Sequence, residues 1–418
     1  MKYSLIFHEY KDMSIAYKLV EILLGTQYCT FDIIVKLSTT SQIIRYLIDN
    51  CCEHIQFIDD QVHLIYAHKR ISKRELEFYL KSFSRMDPKL LREVTRLKLA
   101  NNGFVYDETF FELLLKLNFE KIKSFDISFN QIENVFKLLP FLRQWTNITE
   151  LELANNNLNS VFVRKLLESN MPNLLKLGLS SNDIGIEGAK SLASGLKSLI
   201  SLTDLNLDGC NIKEAGAISI AKSIGLCTGI TSLGLCSNNT GLLAATEIIS
   251  QCSQLVSLNL GFNMIGYGED EQIKKFEHEL NSLTNLTELN LRANNIKKLS
   301  GICEVFKNLI LLDLSDNKFY NSDDDSDDDE NDEINNLVSS LFENTSLLFL
   351  NLSENDIGPH AAERIVHALE KCTGLQSLDL SVNQINDSVG PIEEYCNNNF
   401  PGLRLYIDDN LEQSKRYF

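Results

Sequence analysis

Residues 174–212 read LLKLGLSSNDIGIEGAKSLASGLKSLISLTDLNLDGCNI. Leu174, Leu177, Leu179, Asn182 and Ile184 spell L-x-x-L-x-L-x-x-N-x-I, and the pattern restarts at Leu202, Leu205, Leu207, Cys210 and Ile212. Between the two copies, Ala189, Leu192, Ala193 and Leu196 fall at i, i+3, i+4 and i+7, the apolar face of a helix. A short strand, an Asn turn and an amphipathic helix form one module, so the chain is read first as a repeat array.

The module extends in both directions. Its first apolar positions are Val94, Ile122, Ile148, Leu174, Leu202, Ile230, Leu255, Leu286, Leu309, Leu347 and Leu375. The ninth positions are Asn102, Asn130, Asn156, Asn182, Cys210, Asn238, Asn263, Asn294, Asn317, Asn355 and Asn383, and Leu405, Ile407 and Asn410 mark a degenerate twelfth repeat. Positions 1, 4 and 6 point into a core. The buried Asn bridges backbone groups that otherwise lack partners, and Cys210 replaces it as a small buried residue. Helices are wider than strands, so helices outside and parallel strands inside give a right-handed α/β horseshoe solenoid.

This pattern resembles the leucine-rich repeat family, and within it the ribonuclease-inhibitor-like subclass. The subclass segment I-G-x-x-G-A-x-x-L-A-x-x-L is present as Ile184–Leu196, with variants at Ile212–Ile224 and Ile357–Leu369. The resemblance covers residues 94–410 and implies a non-enzymatic scaffold that binds a protein on its concave face. The overall plan also resembles the leucine-rich-repeat effectors that Legionella delivers by type IV secretion. That implies a protein delivered without a Sec signal into a host cytoplasm; the alternatives are a cytoplasmic inhibitor-type repeat protein and a nucleic-acid-binding regulator.

The regulator reading comes from residues 1–93, which do not repeat. Short helical patterns precede IQFI and QVHLIYA, which alternate like a hairpin joined at Asp59-Asp60. Helices followed by a hairpin resemble a winged-helix domain in element order. The would-be recognition helix carries only Arg45 as a basic residue, which favours instead a cap over the open edge at Val94. Nine acids lie in residues 323–333, DDDSDDDENDE, an insertion read as a self-repelling loop over 322–333 before a helix ENDEINNLVSSLF. The polar tail 411–418 follows the repeats.

Composition narrows the function classes. The 418 residues are 44% hydrophobic and 23% charged, as in a soluble globular chain. No apolar run approaches the ~18–20 residues of a membrane span. MKYSLIFHEYKD does not read as a secretory signal, and the ten scattered cysteines read as reduced buried residues. The net charge of −18 splits into about +1 for residues 1–93 and about −19 for the rest. An acidic body argues against phosphate binding and for a basic protein partner. Asp325–Asp329 begins like an EF-hand, but Glu330 stands where Gly is needed and Asn336 where the last ligand is needed. Cys51, Cys52, His54, His63 and His68 are the one place for a thiol–imidazole pair, and adjacency in sequence does not supply a base in reach. The reading is therefore no enzyme, no cofactor and no metal.

Positions 2, 3, 5, 7 and 8 of each repeat are expected on the exposed side of the strands. There Ile310, Leu311, Leu348 and Phe349 form an apolar pair of repeats near Asp313, Asp316 and Glu354, and Phe129 and Phe262 add exposed rings. These nine residues are the candidate partner-binding set on a monomeric scaffold.

Overall fold

The computed structural model describes residues 55–58, 61–65, 94–101, 105–106, 108–117, 119–132, 134–226, 229–297, 299, 305, 307–319 and 333–408. The expected helices before residue 94, Cys51, Cys52, His54, His68, Asn102, the acidic segment 322–332, Asn410 and the tail 411–418 lie outside these residues. The chain falls into two compact units, residues 1–182 with 198–202 and residues 183–197 with 203–418.

Among the described residues the first unit begins at the antiparallel hairpin β1 (Ile55–Ile58) and β2 (Gln61–Ile65), as its alternation predicts. β2 then lies parallel to β3 (Val94–Lys98), the first repeat strand, with Val62 beside Val94. The sheet continues in parallel through β5 (Ser124–Asp126), β7 (Glu150–Glu152) and β8 (Lys176–Gly178). A separate two-stranded pair, β4 (Val105–Tyr106) with β6 (Gln131–Ile132), precedes the outer segments α1 (Glu108–Leu115) and α2 (Leu139–Gln144). Asn159 starts α3 (Ser160–Leu166) by accepting the Phe162 N–H at 3.0 Å, an N-cap worth about 1 kcal/mol. Trp145 is buried, its ring edge-on to Phe125 at 5.0 Å.

The second unit stacks eight parallel strands in chain order: β9 (Asp204–Asn206), β10 (Ser232–Gly234), β11 (Ser257–Asn259), β12 (Glu288–Asn290), β13 (Leu311–Asp313), β14 (Phe349–Asn351), β15 (Ser377–Asp379) and β16 (Arg404–Tyr406). Leu205, Leu233, Leu258, Leu289, Leu312, Leu350, Leu378 and Leu405 sit side by side at position 4. All but Leu405 are buried, each worth ~1.5–3 kcal/mol of transfer free energy. Among the described residues, the helices that return the chain are α4 (Gly185–Gly195), α5 (Lys213–Ile224), α6 (Gly241–Gln251), α7 (Asp270–Leu280), α8 (Glu333–Phe342), α9 (Pro359–Ala368) and α10 (Val389–Asn399). The lengthened turn after Ile265 delays α7, which begins where the Glu269 N–H donates to Gln272 Oε1 at 3.1 Å.

The Asn ladder takes the expected form. Asn294 Nδ2 donates to the carbonyls of Leu260, Leu291 and Arg292, at 2.8, 3.0 and 3.1 Å. Its Oδ1 accepts the N–H groups of Asn263 and Ile265 from the preceding repeat. Asn263, Asn317, Asn355 and Asn383 repeat the arrangement. Asn156 departs from it: its Nδ2 makes three bonds, but its Oδ1 is buried without a partner.

Two features follow from the turn rather than from the core pattern. Position 8 adopts a left-handed backbone in each of the eleven repeats that start from Val94 to Leu375, φ +53° at Asn101, +56° at Phe129, +57° at Phe262, +54° at Asp316, +58° at Glu354 and +54° at Val382 among them. This conformation aims the position-8 N–H at position 7 of the next repeat, as from Phe262 to the Arg292 carbonyl at 2.8 Å. At position 12, Gly185 and Gly241 also have positive φ, which gives the Gly of the I-G segment its physical reason.

Position 7 corrects the expected exposure pattern. Ala100, Ser128, Ala154, Ser315 and Ser353 are buried there. The position-5 side chain bends back over them: Asp126, Asn290, Asp313, Asn351 and Asp379 each accept the N–H two residues on, at 2.9–3.1 Å. At Ser128, Ser315 and Ser353 position 7 therefore lies beneath an Asx turn, whereas Asp208 and Arg292 at the same position still reach the strand face.

Candidate partner-binding surface

On the strand face of the first unit, charges pair between strands one or two apart. Arg96 pairs with Glu150 at 3.3 Å and Lys98 with Asp126 at 3.6 Å. Glu150 also accepts Ser124 Oγ at 2.8 Å. The Glu152 carboxylate lies over Gly178, where any Cβ would collide with it. Phe129 is 51% exposed on this face.

The second unit is different. Its strand face carries Asp204, Asp208, Glu288, Asp313, Asp316, Glu354 and Asp379 against one cation, Arg292, at positions 2, 3, 5, 7 and 8 of the repeats from 202 to 375, and Arg404 is exposed beyond them on β16, in register with Ser377. Arg292 sits 5.6 Å from the centre of the Phe262 ring and 3.6 Å from Glu354. Asp208 Oδ1 accepts the Cys236 N–H at 2.7 Å, and Asn259 Nδ2 donates to its Oδ2 at 3.3 Å. Burial nevertheless pushes the Asp208 carboxyl above its ordinary range.

The four apolar candidates are brought together. Leu311 pairs in register with Phe349, and the Ile310 carbonyl accepts the N–H groups of both Leu348 and Phe349, at 2.9 and 3.1 Å. Ile310 and Leu311 are exposed, Phe349 is 40% exposed and Leu348 is half-buried. Glu288 borders Leu311 in register on one side and Ser377 borders Phe349 on the other. Asp313, two residues along β13, uses Oδ1 for the N–H and hydroxyl of Ser315, at 3.0 and 2.6 Å.

Asp316 and Glu354 do not rim this patch. They lie five residues beyond Leu311 and Phe349, up to ~16 Å further along the strand direction. There they join Arg292 and Phe262 at the opposite end of the same face. Phe129 belongs to the first unit. The sequence reading missed Val256, exposed at position 2 of its repeat.

Elsewhere the titratable groups serve packing. Cys210, Cys252, Cys372 and Cys396 are buried free thiols. Burial pushes Cys252 up to about 12 and Cys396 up to about 11, so both remain protonated and unreactive at neutral pH. His367 faces Tyr395 at 4.2 Å between ring centres, and Tyr395 donates to Glu370 at 2.6 Å, a bracket between successive repeats. Among the described residues there is no group of three His, Cys, Asp or Glu side chains placed for a metal ion, and no helix is long and apolar enough to cross a membrane.

A family model described as Leucine Rich repeat matches residues 170–193, 198–221 and 343–366. The chain carries leucine-rich repeats. Its fold class is the α/β leucine-rich-repeat solenoid, each matched window holding one strand, β8, β9 or β14. The mouse Tonsoku-like protein is 26% identical over 262 residues, which cover 59% of this chain and 16% of that protein. The chain thus matches only a small part of that relative's length. A leucine-rich-repeat protein of Leptospira interrogans is similar over 76% of this chain and 97% of its own, with 16% identity and a TM-score of 0.35. An internalin of Listeria monocytogenes is similar over 81% of this chain and 94% of its own, with 17% identity and a TM-score of 0.43.

Proposed function

We propose that the protein is a binding scaffold that holds a basic protein partner on the strand face of its second unit. Ile310, Leu311, Leu348 and Phe349 form the anchor, flanked by Glu288 and Asp313, while Asp316, Glu354, Phe262 and Arg292 meet the partner at the other end of the strands. The observation that carries this reading is the conjunction of seven carboxylates against one cation over the repeats from 202 to 375 with Ile310, Leu311 and Phe349 exposed and Leu348 half-buried beside them. Apolar anchors supply affinity, and a one-sign field steers an oppositely charged partner. Leucine-rich-repeat proteins generally act as such scaffolds.

The test is affinity capture with the full chain, followed by titration of the purified captured protein. Phe349→Ala should weaken binding by ~2 kcal/mol or more while leaving the melting temperature nearly unchanged. Unchanged affinity, or a captured protein that is acidic and insensitive to salt, would remove the anchor or the charge argument respectively. Binding of random duplex DNA at low salt would revive the winged-helix regulator reading of residues 1–93.

The finer parts of the proposal rest on resemblance. The Ile184–Leu196 segment supports the ribonuclease-inhibitor-like subclass. The resemblance to Legionella effectors extends the reading to a host-cell protein as partner. A translocation-reporter fusion, with and without residues 411–418, tests delivery, and equal delivery of both would count against an export role for the tail.

A further inference from the structure

The strand face of the second unit is continuous with a second exposed apolar surface, on the turns that lead from strands to helices. Position 10 is polar or Gly in ten of the eleven repeats: Gly103, Gln131, Asn157, Asp183, Asn211, Asn239, Asn295, Lys318, Asp356 and Gln384. The exception is Met264, which is 56% exposed and held at φ +59°. Asn tolerates the left-handed region, whereas Met there costs ~1–2 kcal/mol, so neither packing nor backbone preference accounts for it. The lengthened turn places Tyr267 beside it, 65% exposed, and the first turn of α6 adds Leu243, 53% exposed. These three line an open groove of about 570 Å³, whose other walls include Lys213, Glu214 and Gln272.

Continuity and charge identify the occupant. Phe262, Met264 and Tyr267 follow one another in a single turn, and Phe262 lies beneath Arg292, which reaches Glu354 on the strand face. Glu214 lines the groove opposite the charge of Lys213, Glu269 and Asp270 are exposed in the segment that follows Tyr267, and Lys274 pairs with Glu271 at 3.5 Å. Apolar depth with an acidic surround fits a bulky side chain next to lysine or arginine.

We propose that this groove is a second anchor for the basic partner, taking an aromatic or long aliphatic side chain from a Lys/Arg-rich segment that crosses Phe262 from the strand face. The proposal rests on the reading that the strand face takes a basic partner. It makes the footprint two-ended: one apolar anchor before the strands and one after them.

The test uses the full chain and a fluorescein-labelled synthetic peptide of Lys, Leu and Trp, with its Lys→Glu counterpart as control, read by fluorescence anisotropy. Met264→Asn restores the polar pattern of the other repeats, and Tyr267→Ser removes the ring. The double variant should bind the basic peptide about tenfold more weakly, with a melting temperature equal to or above that of the native chain. If only Phe349→Ala weakens binding, the groove proposal falls and the strand-face reading stands. If only the groove variant weakens it, the groove is a site but the strand-face anchor is refuted. A lower melting temperature for the double variant assigns Met264 and Tyr267 to structure and overturns the proposal. Absence of binding, or equal binding of the acidic peptide, overturns both readings.

Discussion

The two strand faces are built from the same repeat, yet they handle charge in opposite ways. In the first unit Lys98 meets Asp126 on the adjacent strand and Arg96 reaches across β5 to Glu150, so the surface neutralises itself. Such exposed pairs contribute at most ~1 kcal/mol each and leave little field for a partner. In the second unit seven carboxylates face one guanidinium, Arg292, over the repeats from 202 to 375, with Arg404 beyond them on β16. Repulsion between them adds nothing to folding, so the leucine core and the Asn ladder carry the stability there. Asp208, Asp313 and Asp379 hold backbone N–H groups there, and the like charge in excess of those bonds is free to serve recognition.

The largest expected effect separates core from face within one strand. Leu350→Ala should destabilise the chain by ~2–5 kcal/mol, because Leu350 is fully buried. Phe349→Ala, one residue earlier and facing solvent, should cost under ~1 kcal/mol. Chemical unfolding of both variants checks this, and equal losses would move the apolar patch from the face into the core.

The ladder gives the next comparison, between units. Asn294 Oδ1 accepts two backbone N–H groups, whereas Asn156 Oδ1 accepts none. Asn294→Ala should therefore cost ~1–3 kcal/mol more than Asn156→Ala, the price of orphaned buried donors. Equal costs would mean that the two ladders are equivalent in solution.

Charge reversal probes the faces directly. Glu288→Lys, beside Leu311, should weaken binding of a basic peptide by about tenfold at low salt, and Lys98→Glu in the first unit should leave it nearly unchanged. A larger effect from Lys98→Glu would reverse the assignment of the binding face.

The smallest effect concerns Asp208. Burial raises its folded-state pKa above the ordinary value of 3.8, so the native state binds its proton more tightly than the unfolded state does. The stability it confers is present at acid pH and is lost as pH rises from that value through the folded pKa. Asp208→Asn removes this slope, so the variant should gain relative to the native chain between pH 4 and pH 7. Parallel stability–pH curves for the two proteins would show that Asp208 is well solvated.

Much of the fold was legible because a strand and a helix each declare themselves by local spacing. Leu at positions 1, 4 and 6, the ninth-position Asn and the hairpin at residues 55–65 needed only the periods 2 and 3.6. The candidate site was legible in part. Ile310, Leu311, Leu348 and Phe349 came together because register follows from equal repeat positions. Asp316 and Glu354 were misplaced because sequence distance along one repeat was read as proximity. Met264 passed unnoticed because a lone Met in a turn carries meaning only once its backbone φ and exposure are known.

Sequence alone thus determined the strands, the ladder and the acidic excess, each of which depends on residue type and spacing within one repeat or on composition. Tertiary structure decided the rest: that Ser128, Ser315 and Ser353 at position 7 lie under Asx turns, that position 8 is left-handed, and that Arg292 joins Phe262 to Glu354. It also decided that β2 extends the first sheet at Val94. These depend on where a backbone N–H or a long side chain ends after the turn, a property set by neighbouring repeats that no single repeat encodes.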